Sequence, residues 1–138
     1  MKKITDSLFW IALVLLGIYI LYSRGIILAN FESVTAQEAY TMIQEDDEDN
    51  ITVLDVRTPE EFKFDGHLRG AKLLPLDELS KNIAMLDSSK TILVYCRTGS
   101  RSVQASRVLE KNGFRAINMN GGFVTWQGER LPYIEGKR

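Results

Sequence analysis

The hydrophobic and polar positions divide the chain into an apolar N-terminal segment and a longer part in which strand and helix patterns alternate. Residues 8–22 carry no charge, and apolar character resumes between Arg24 and residue 29. Fifteen helical residues rise about 22 Å, which is less than the roughly 30 Å hydrocarbon core of a bilayer. A span over residues 8–29 is long enough if Arg24 extends its charged end to the interface. We therefore predict an N-terminal membrane anchor within residues 1–30.

Two other interpretations of the N-terminal segment remain open. Lys2 and Lys3 followed by an apolar run also fit a secretory signal peptide. The possible cleavage sites, after Gly25 or after Ala29, are poor matches to the small residues that signal peptidase prefers. The third interpretation is an amphipathic helix of a soluble protein. If the segment spans a membrane, the positive charge before it favours an internal N-terminus and an external soluble part.

Beyond residue 30, strand and helix patterns alternate. Thr35 and Glu38 form a capping box at the start of a predicted helix, and Gly113 is placed to end a later one in the left-handed conformation. Because strands alternate with helices, we expect a parallel sheet covered on both faces, which makes residues 31–138 one α/β domain. The pattern predicts strands at residues 51–56, 71–74, 91–95 and 116–119, and helices at residues 36–45, 76–84 and 123–127, with two more opening at Thr58 and after the cysteine.

The only cysteine, Cys96, lies where a buried strand gives way to a helix, with five residues predicted between it and the helical pattern. Backbone N–H groups, the positive end of the helix and the charges of Arg97 and Arg101 all favour the thiolate, which is the nucleophilic form of cysteine. A single cysteine excludes an internal disulfide and a cysteine-rich metal site. We predict Cys96 as a nucleophile, and neither a metal ion nor a cofactor.

Charge is distributed unevenly along the chain. Residues 31–87 hold 14 acidic and 5 basic side chains, whereas residues 88–138 hold 9 basic and 3 acidic ones. Cys96 therefore lies in the basic part, which suits a small anionic substrate. A solvated basic surface without a ligand is the alternative interpretation, and no nucleic-acid partner is predicted.

Four motifs follow one another along the chain: Leu54-Asp55-Val56-Arg57 with Pro59-Glu60-Glu61-Phe62, then Gly66-His67-Leu68-Arg69-Gly70-Ala71, then Cys96-Arg97-Thr98-Gly99-Ser100-Arg101, and Gly121-Gly122 followed by Trp126. In this order they resemble the motifs of the rhodanese family. The resemblance covers about residues 32–133 and implies a three-layer α/β fold with a five-stranded, mostly parallel sheet, here preceded by one transmembrane helix. It also implies sulfurtransferase chemistry through a persulfide on Cys96. Together with the N-terminal segment, it makes the chain similar to small bacterial rhodaneses anchored by a single pass in the inner membrane.

The resemblance further implies roles for individual residues. Arg101 would balance the charge of the persulfide or the donor, and an ion pair with a carboxylate such as Asp55 is its alternative role. Asp55 is predicted to support the active loop, residues 96–101, and a buried ion pair between Asp55 and Arg57 is the structural alternative. We expect His67 in a structural turn and Trp126 in the core. The residues predicted to bind substrate are Arg97, Thr98, Gly99, Ser100, Arg101 and Arg57.

The predicted function is transfer of sulfane sulfur from thiosulfate or a persulfide to a thiol or cyanide acceptor, for which a membrane protein is one candidate. A phosphatase is disfavoured because four residues separate Cys96 from Arg101, whereas phosphatases of related fold have five. A non-catalytic membrane-tethered binding module remains open. So does a redox sensor that forms a sulfenic acid at Cys96.

Overall fold

The computed structural model describes residues 1–138 and places five strands in one sheet. The sheet order is β1-β5-β4-β2-β3, and every neighbouring pair is parallel. Central strands of such a sheet are covered on both faces, which explains their uninterrupted apolar sequences. The predicted five-stranded α/β fold is confirmed. The strands are β1 (Glu32–Val34), β2 (Ile51–Asp55), β3 (Lys72–Leu73), β4 (Thr91–Tyr95) and β5 (Ala116–Met119).

The helices alternate with the strands, as predicted. The hydroxyl of Thr35 accepts a hydrogen bond from the N–H of Glu38 at 3.1 Å, and the Glu38 carboxylate accepts one from the N–H of Thr35 at 2.7 Å. The predicted capping box is thus confirmed. Gly113 follows its helix with φ +83°, as expected. The helices are α1 (Lys2–Ser23), α2 (Ala36–Glu45), α3 (Leu76–Asn82), α4 (Ser100–Lys111) and α5 (Gly122–Gly128), with a π-helical turn at Glu61–Asp65 and a 3-10 turn at Ile83–Met85.

The apolar core lies on both faces of the sheet because successive strand residues point to opposite faces. On one face, Val94 packs with buried residues of α3 and α4. On the other face, Tyr95 packs with residues of α2 and α5, among them Trp126, which is 2% exposed. The expected core position of Trp126 is confirmed. Strand β4 contributes residues to both core layers, and Cys96 follows its carboxyl end.

The apolar N-terminal segment forms a helix whose bounds differ from the predicted span. Helix α1 contains 22 residues, none of them buried, and is long and apolar enough to cross a membrane. The helix starts at Lys2, before the predicted span over residues 8–29, and ends at Ser23, so residues 24–29 do not continue it. Arg24 caps it, and Gly25 turns the chain with φ +69°.

Arg107 of α4 holds the chain that follows α1. Its guanidinium donates hydrogen bonds to the carbonyl oxygens of Tyr22 at 2.6 Å, Ile27 at 3.3 Å and Leu28 at 2.5 Å. It also lies 3.8 Å from the centre of the Tyr22 ring, and the whole residue is 9% exposed. Contacts of this kind join residues about 80 positions apart in the sequence, so the C-terminal end of α1 has a defined position against α4.

Candidate active site

Cys96 directly follows β4 at the carboxyl edge of the sheet. Only residues 97–99 separate it from α4, so the predicted five-residue interval is wrong by two residues. The reason is Gly99, whose left-handed backbone (φ +112°) turns the chain directly into the helix. Ser100 and Arg101 therefore belong to the first turn of α4, and Cys96 lies against its N-terminal end.

The Cys96 thiol is enclosed by this turn and is 1% exposed. The N–H of Gly99 donates a hydrogen bond to Sγ at 3.0 Å, and Sγ lies 3.5 Å from the hydroxyl oxygen of Ser102. The Ser102 hydroxyl itself donates to the carbonyl oxygen of Gly99 at 3.0 Å. Two polar groups thus contact the sulfur. Ser102 had not been singled out from the sequence, although its place one helical turn after Gly99 would have indicated it.

Five backbone N–H groups in the loop after Cys96 and in the first turn of α4 have no acceptor within the chain. No preceding helical turn offers these N–H groups a carbonyl acceptor, and no side chain of the protein accepts a hydrogen bond from them instead. Free N–H groups at this end of a helix attract anions, helped by the helix dipole. The turn can therefore accommodate a negatively charged sulfur or oxyanion beside Cys96. The five groups belong to Arg97, Thr98, Ser100, Arg101 and Ser102.

The Gly121-Gly122 turn brings the start of α5 against the same loop. The N–H of Phe123 donates to the carbonyl oxygen of Cys96 at 2.8 Å, and the N–H of Val124 donates to that of Arg97 at 3.0 Å. A Cβ at Gly122 would collide with both carbonyl groups. Glycine is therefore required here, and α5 fixes the loop carbonyls pointing away from the free N–H groups of α4.

Asp55 and Arg57 form a buried ion pair below the loop. The Asp55 carboxylate accepts from Arg57 at 2.8 and 3.0 Å and from the Tyr95 hydroxyl at 2.6 Å. Both charged residues have no exposed surface, and burial together with the Asp55 charge holds the pKa of Tyr95 well above its usual range. Arg57 also donates to the carbonyl oxygen of Gly66 at 2.6 Å, and Tyr95 accepts from the N–H of Leu68. This burial favours the structural alternative for Arg57 over a substrate contact.

Arg101 forms the ion pair expected as its alternative role, but with a different partner. Its two terminal nitrogens donate to the Glu61 carboxylate at 2.8 and 2.9 Å. Asp55 is unavailable because its oxygens are occupied by Arg57 and Tyr95. The hydrogen bonds from Arg101 hold the pKa of Glu61 below its ordinary 4.5. Glu61 was missed as a site residue, and its place in the second half of the first motif was the available signal.

Five of the six predicted substrate-binding residues line two separate clefts, and Arg101 lines neither of them. Thr98, Gly99 and Ser100 line a main cleft of about 580 Å³, which also borders the end of α1. Arg97 and Arg57 line a smaller cleft of about 240 Å³. The structure therefore does not bring all six predicted residues to one surface.

His67 takes part in a turn and not in the site. Its backbone N–H and carbonyl pair with Ile134 at 3.0 and 2.8 Å, and its ring stacks on Phe62 with centres 3.8 Å apart. These contacts match the structural position expected for the only histidine of the chain.

The parallel sheet and a cysteine enclosed at a helix N-terminus define a small α/β protein with a nucleophilic or anion-binding loop. The model of the rhodanese-like domain matches residues 35–129, and the chain belongs to this family. A sulfurtransferase of Allochromatium vinosum is 30% identical over 89 residues, which are 64% of this chain and 82% of that protein. Thiosulfate sulfurtransferase PspE of Escherichia coli is 37% identical over 85 residues, 60% of this chain and 78% of that protein.

A solved structure supports the same family. The rhodanese-related protein from Thermoplasma volcanium superposes with a TM-score of 0.69 at 31% identity, covering 75% of this chain and 98% of that one. Family membership and the names of these relatives support sulfur transfer as the general chemistry.

Proposed function

We propose that the protein is a membrane-anchored sulfurtransferase that moves sulfane sulfur from thiosulfate or a persulfide to a thiol or cyanide acceptor. The observation that carries this proposal is the position of Cys96, whose sulfur accepts the N–H of Gly99 at the start of α4. A persulfide extends the side chain by one anionic sulfur, and the free N–H groups of the turn are suited to bind it. Relatives named sulfurtransferases support the same chemistry.

In the first half-reaction, the Cys96 thiolate attacks the outer sulfur of the donor. With thiosulfate, a new sulfur–sulfur bond forms to Cys96 while the bond between the two thiosulfate sulfurs breaks, and sulfite leaves with that electron pair. The products are an anionic persulfide and sulfite, so charge and electrons balance. This is covalent catalysis, which divides the transfer into two displacements.

In the second half-reaction, a thiolate or cyanide attacks the terminal sulfur of the persulfide. The bond to the Cys96 sulfur breaks, its electron pair returns to Cys96 as thiolate, and the acceptor leaves as a persulfide or as thiocyanate. The Gly99 N–H, which contacts the Cys96 sulfur, would stabilise the returning thiolate. Arg101, in the first turn of α4, is paired with Glu61 of the π-helical turn. This ion pair would position the loop while contributing little net charge.

The proposed organisation is an anchor in residues 1–30 and a rhodanese-like domain in residues 31–138. Helix α1 buries none of its residues against the protein, which suits a lipid environment. We propose a single pass in a bacterial inner membrane. Lys2 and Lys3 precede the helix and Arg24 follows it, a balance that favours an extracytoplasmic domain.

The experiment uses the full chain in mild detergent and measures thiocyanate formed from thiosulfate and cyanide. We expect Cys96→Ser to lower the rate by at least about 10³-fold, because hydroxyl oxygen cannot carry the sulfur. Its thermal unfolding should match that of the wild type, which separates lost chemistry from lost folding. Wild-type protein that forms no thiocyanate, and that transfers no sulfur from a persulfide donor either, would favour a binding or redox-sensing module.

A further inference from the structure

The C-terminal end of α1 faces the active loop across the main cleft. One wall of this cleft is formed by the loop, with Thr98, Gly99 and Ser100, and the opposite wall by Ile20, Ser23 and Arg24. The cleft volume of about 580 Å³ lies within the range of roughly 300–1,000 Å³ that holds organic ligands. Thiosulfate, with five heavy atoms, would fill only a small part of such a space.

The wall formed by α1 is held in place by the protein. Arg107 binds the carbonyl oxygens of Tyr22, Ile27 and Leu28, on both sides of the turn that contains Arg24. Arg107 is itself 9% exposed, and its guanidinium stacks on the Tyr22 ring. The position of Arg24 relative to the loop is therefore fixed by buried contacts on α4, the helix whose first turn carries the loop.

The chemistry of the cleft points to an anionic organic ligand. Arg24 is its only charged residue, and its guanidinium makes no ion pair within the chain. The other polar groups are neutral hydroxyls and an amide, and no carboxylate lines the cleft. A carboxylate would thus find an unpaired guanidinium, with neutral hydrogen-bonding partners around it. The polar residues are Ser23, Thr98, Ser100 and Asn120.

We propose that Arg24 determines acceptor specificity by binding the carboxylate of an organic thiol that receives sulfur from Cys96. This inference rests on the proposed sulfurtransferase function. The thiolate of the acceptor attacks the terminal sulfur of the Cys96 persulfide, the acceptor leaves as a persulfide, and Cys96 returns to thiolate. The region after the proposed anchor is thereby part of the substrate site and not only a tether.

The experiment compares two acceptors with the full chain in mild detergent at saturating thiosulfate. Glutathione carries carboxylates, whereas 2-mercaptoethanol carries none. For Arg24→Gln we expect kcat/KM for glutathione to fall about three- to tenfold, with a change of less than twofold for 2-mercaptoethanol. Arg115→Gln is the matched control, because Arg115 is also an exposed arginine but precedes β5, at the opposite edge of the sheet. It should leave both acceptors unchanged.

A binding measurement complements the kinetics. S-methylglutathione has the carboxylates but no free thiol, so we expect it to compete with glutathione, with an inhibition constant raised about three- to tenfold by Arg24→Gln. If the wild type transfers sulfur and Arg24→Gln leaves the preference between acceptors unchanged, this inference is wrong and the proposed function stands. If the wild type transfers sulfur to no acceptor, the proposed function fails and the inference falls with it.

Discussion

Two arginines next to the active loop, Arg101 and Arg57, are each held in an ion pair. Arg101 is bound through two hydrogen bonds to Glu61, with side chains 30% and 21% exposed, and Arg57 is bound to Asp55 without any exposure. The partly exposed pair is worth about 1 kcal/mol or less, whereas removing one partner of a buried pair costs about 3–5 kcal/mol. Arg101 is therefore a positioning residue whose electrostatic effect depends on Glu61.

The state of Glu61 gives a prediction on stability and pH. Because Arg101 lowers the pKa of Glu61 below 4.5, the pair stabilises the fold above that pH and loses its contribution as the pH falls through the lowered value. Glu61→Gln should lower the free energy of unfolding by about 0.5–1 kcal/mol at pH 7, and by much less at pH 3. Urea unfolding at both pH values measures this effect.

Glu60→Gln is the matched control for that measurement. Glu60 is exposed and makes no ion pair, so its substitution should leave the unfolding free energy nearly unchanged at both pH values. An equal loss for Glu61→Gln at pH 7 and pH 3 would contradict the role given to the Arg101–Glu61 pair.

Single residues differ in how far the sequence reveals them. Cys96 could be predicted because its signal is local: an apolar strand ends at it, Arg97 and Arg101 follow, and a helical pattern begins soon after. The partner of Arg101 could not, because Glu61 lies 40 positions away and several carboxylates compete for the same arginine. Only the packing, which commits Asp55 to Arg57 and Tyr95, selects Glu61.

Among the elements, buried strands were predicted most closely. Strand β4 has the predicted bounds, Thr91–Tyr95, because its apolar run is uninterrupted and flanked by polar residues. The start of α4 was misplaced because the conformation of Gly99 decides it, and a glycine permits several conformations. The contact between α5 and the loop could not be predicted from the sequence either, since it depends on the close approach of Gly122 to the loop carbonyl groups.

That contact leads to a prediction about Gly122→Ala. The added methyl group would collide with the carbonyl groups of Cys96 and Arg97 and would require φ +63° of an alanine. We expect thiocyanate formation to fall at least about tenfold, together with a loss of about 1–3 kcal/mol in unfolding free energy. Activity and urea unfolding of the same preparation measure the two effects.

Gly113→Ala is the control for that substitution. Gly113 also has a positive φ, +83°, but nothing lies within 4 Å of an added Cβ. Its substitution should cost about 1 kcal/mol of stability through backbone strain alone and leave the rate nearly unchanged. Equal loss of activity in the two variants would mean that the α5 contact does not position the loop.

At the scale of the whole molecule, helix α1 and the α/β part meet at the active loop. The sequence predicted an apolar helix but placed its end too late, because residues 26–29 continue the apolar composition beyond the turn at Gly25. The role of Arg107 could not be predicted from the sequence either. Arg107 becomes buried only when the carbonyl groups of Tyr22 and Leu28 pack against α4 and accept its hydrogen bonds. The end of the proposed anchor and the loop that follows Cys96 thereby border one cleft.

The most direct test of the central claim is the intact mass of the full chain before and after incubation with thiosulfate. We predict a gain of one sulfur atom, about 32 Da, that cyanide removes and that Cys96→Ala abolishes. An unchanged mass after incubation with thiosulfate and with glutathione persulfide would mean that Cys96 does not carry sulfur. So would a gain of the same size that persists in Cys96→Ala.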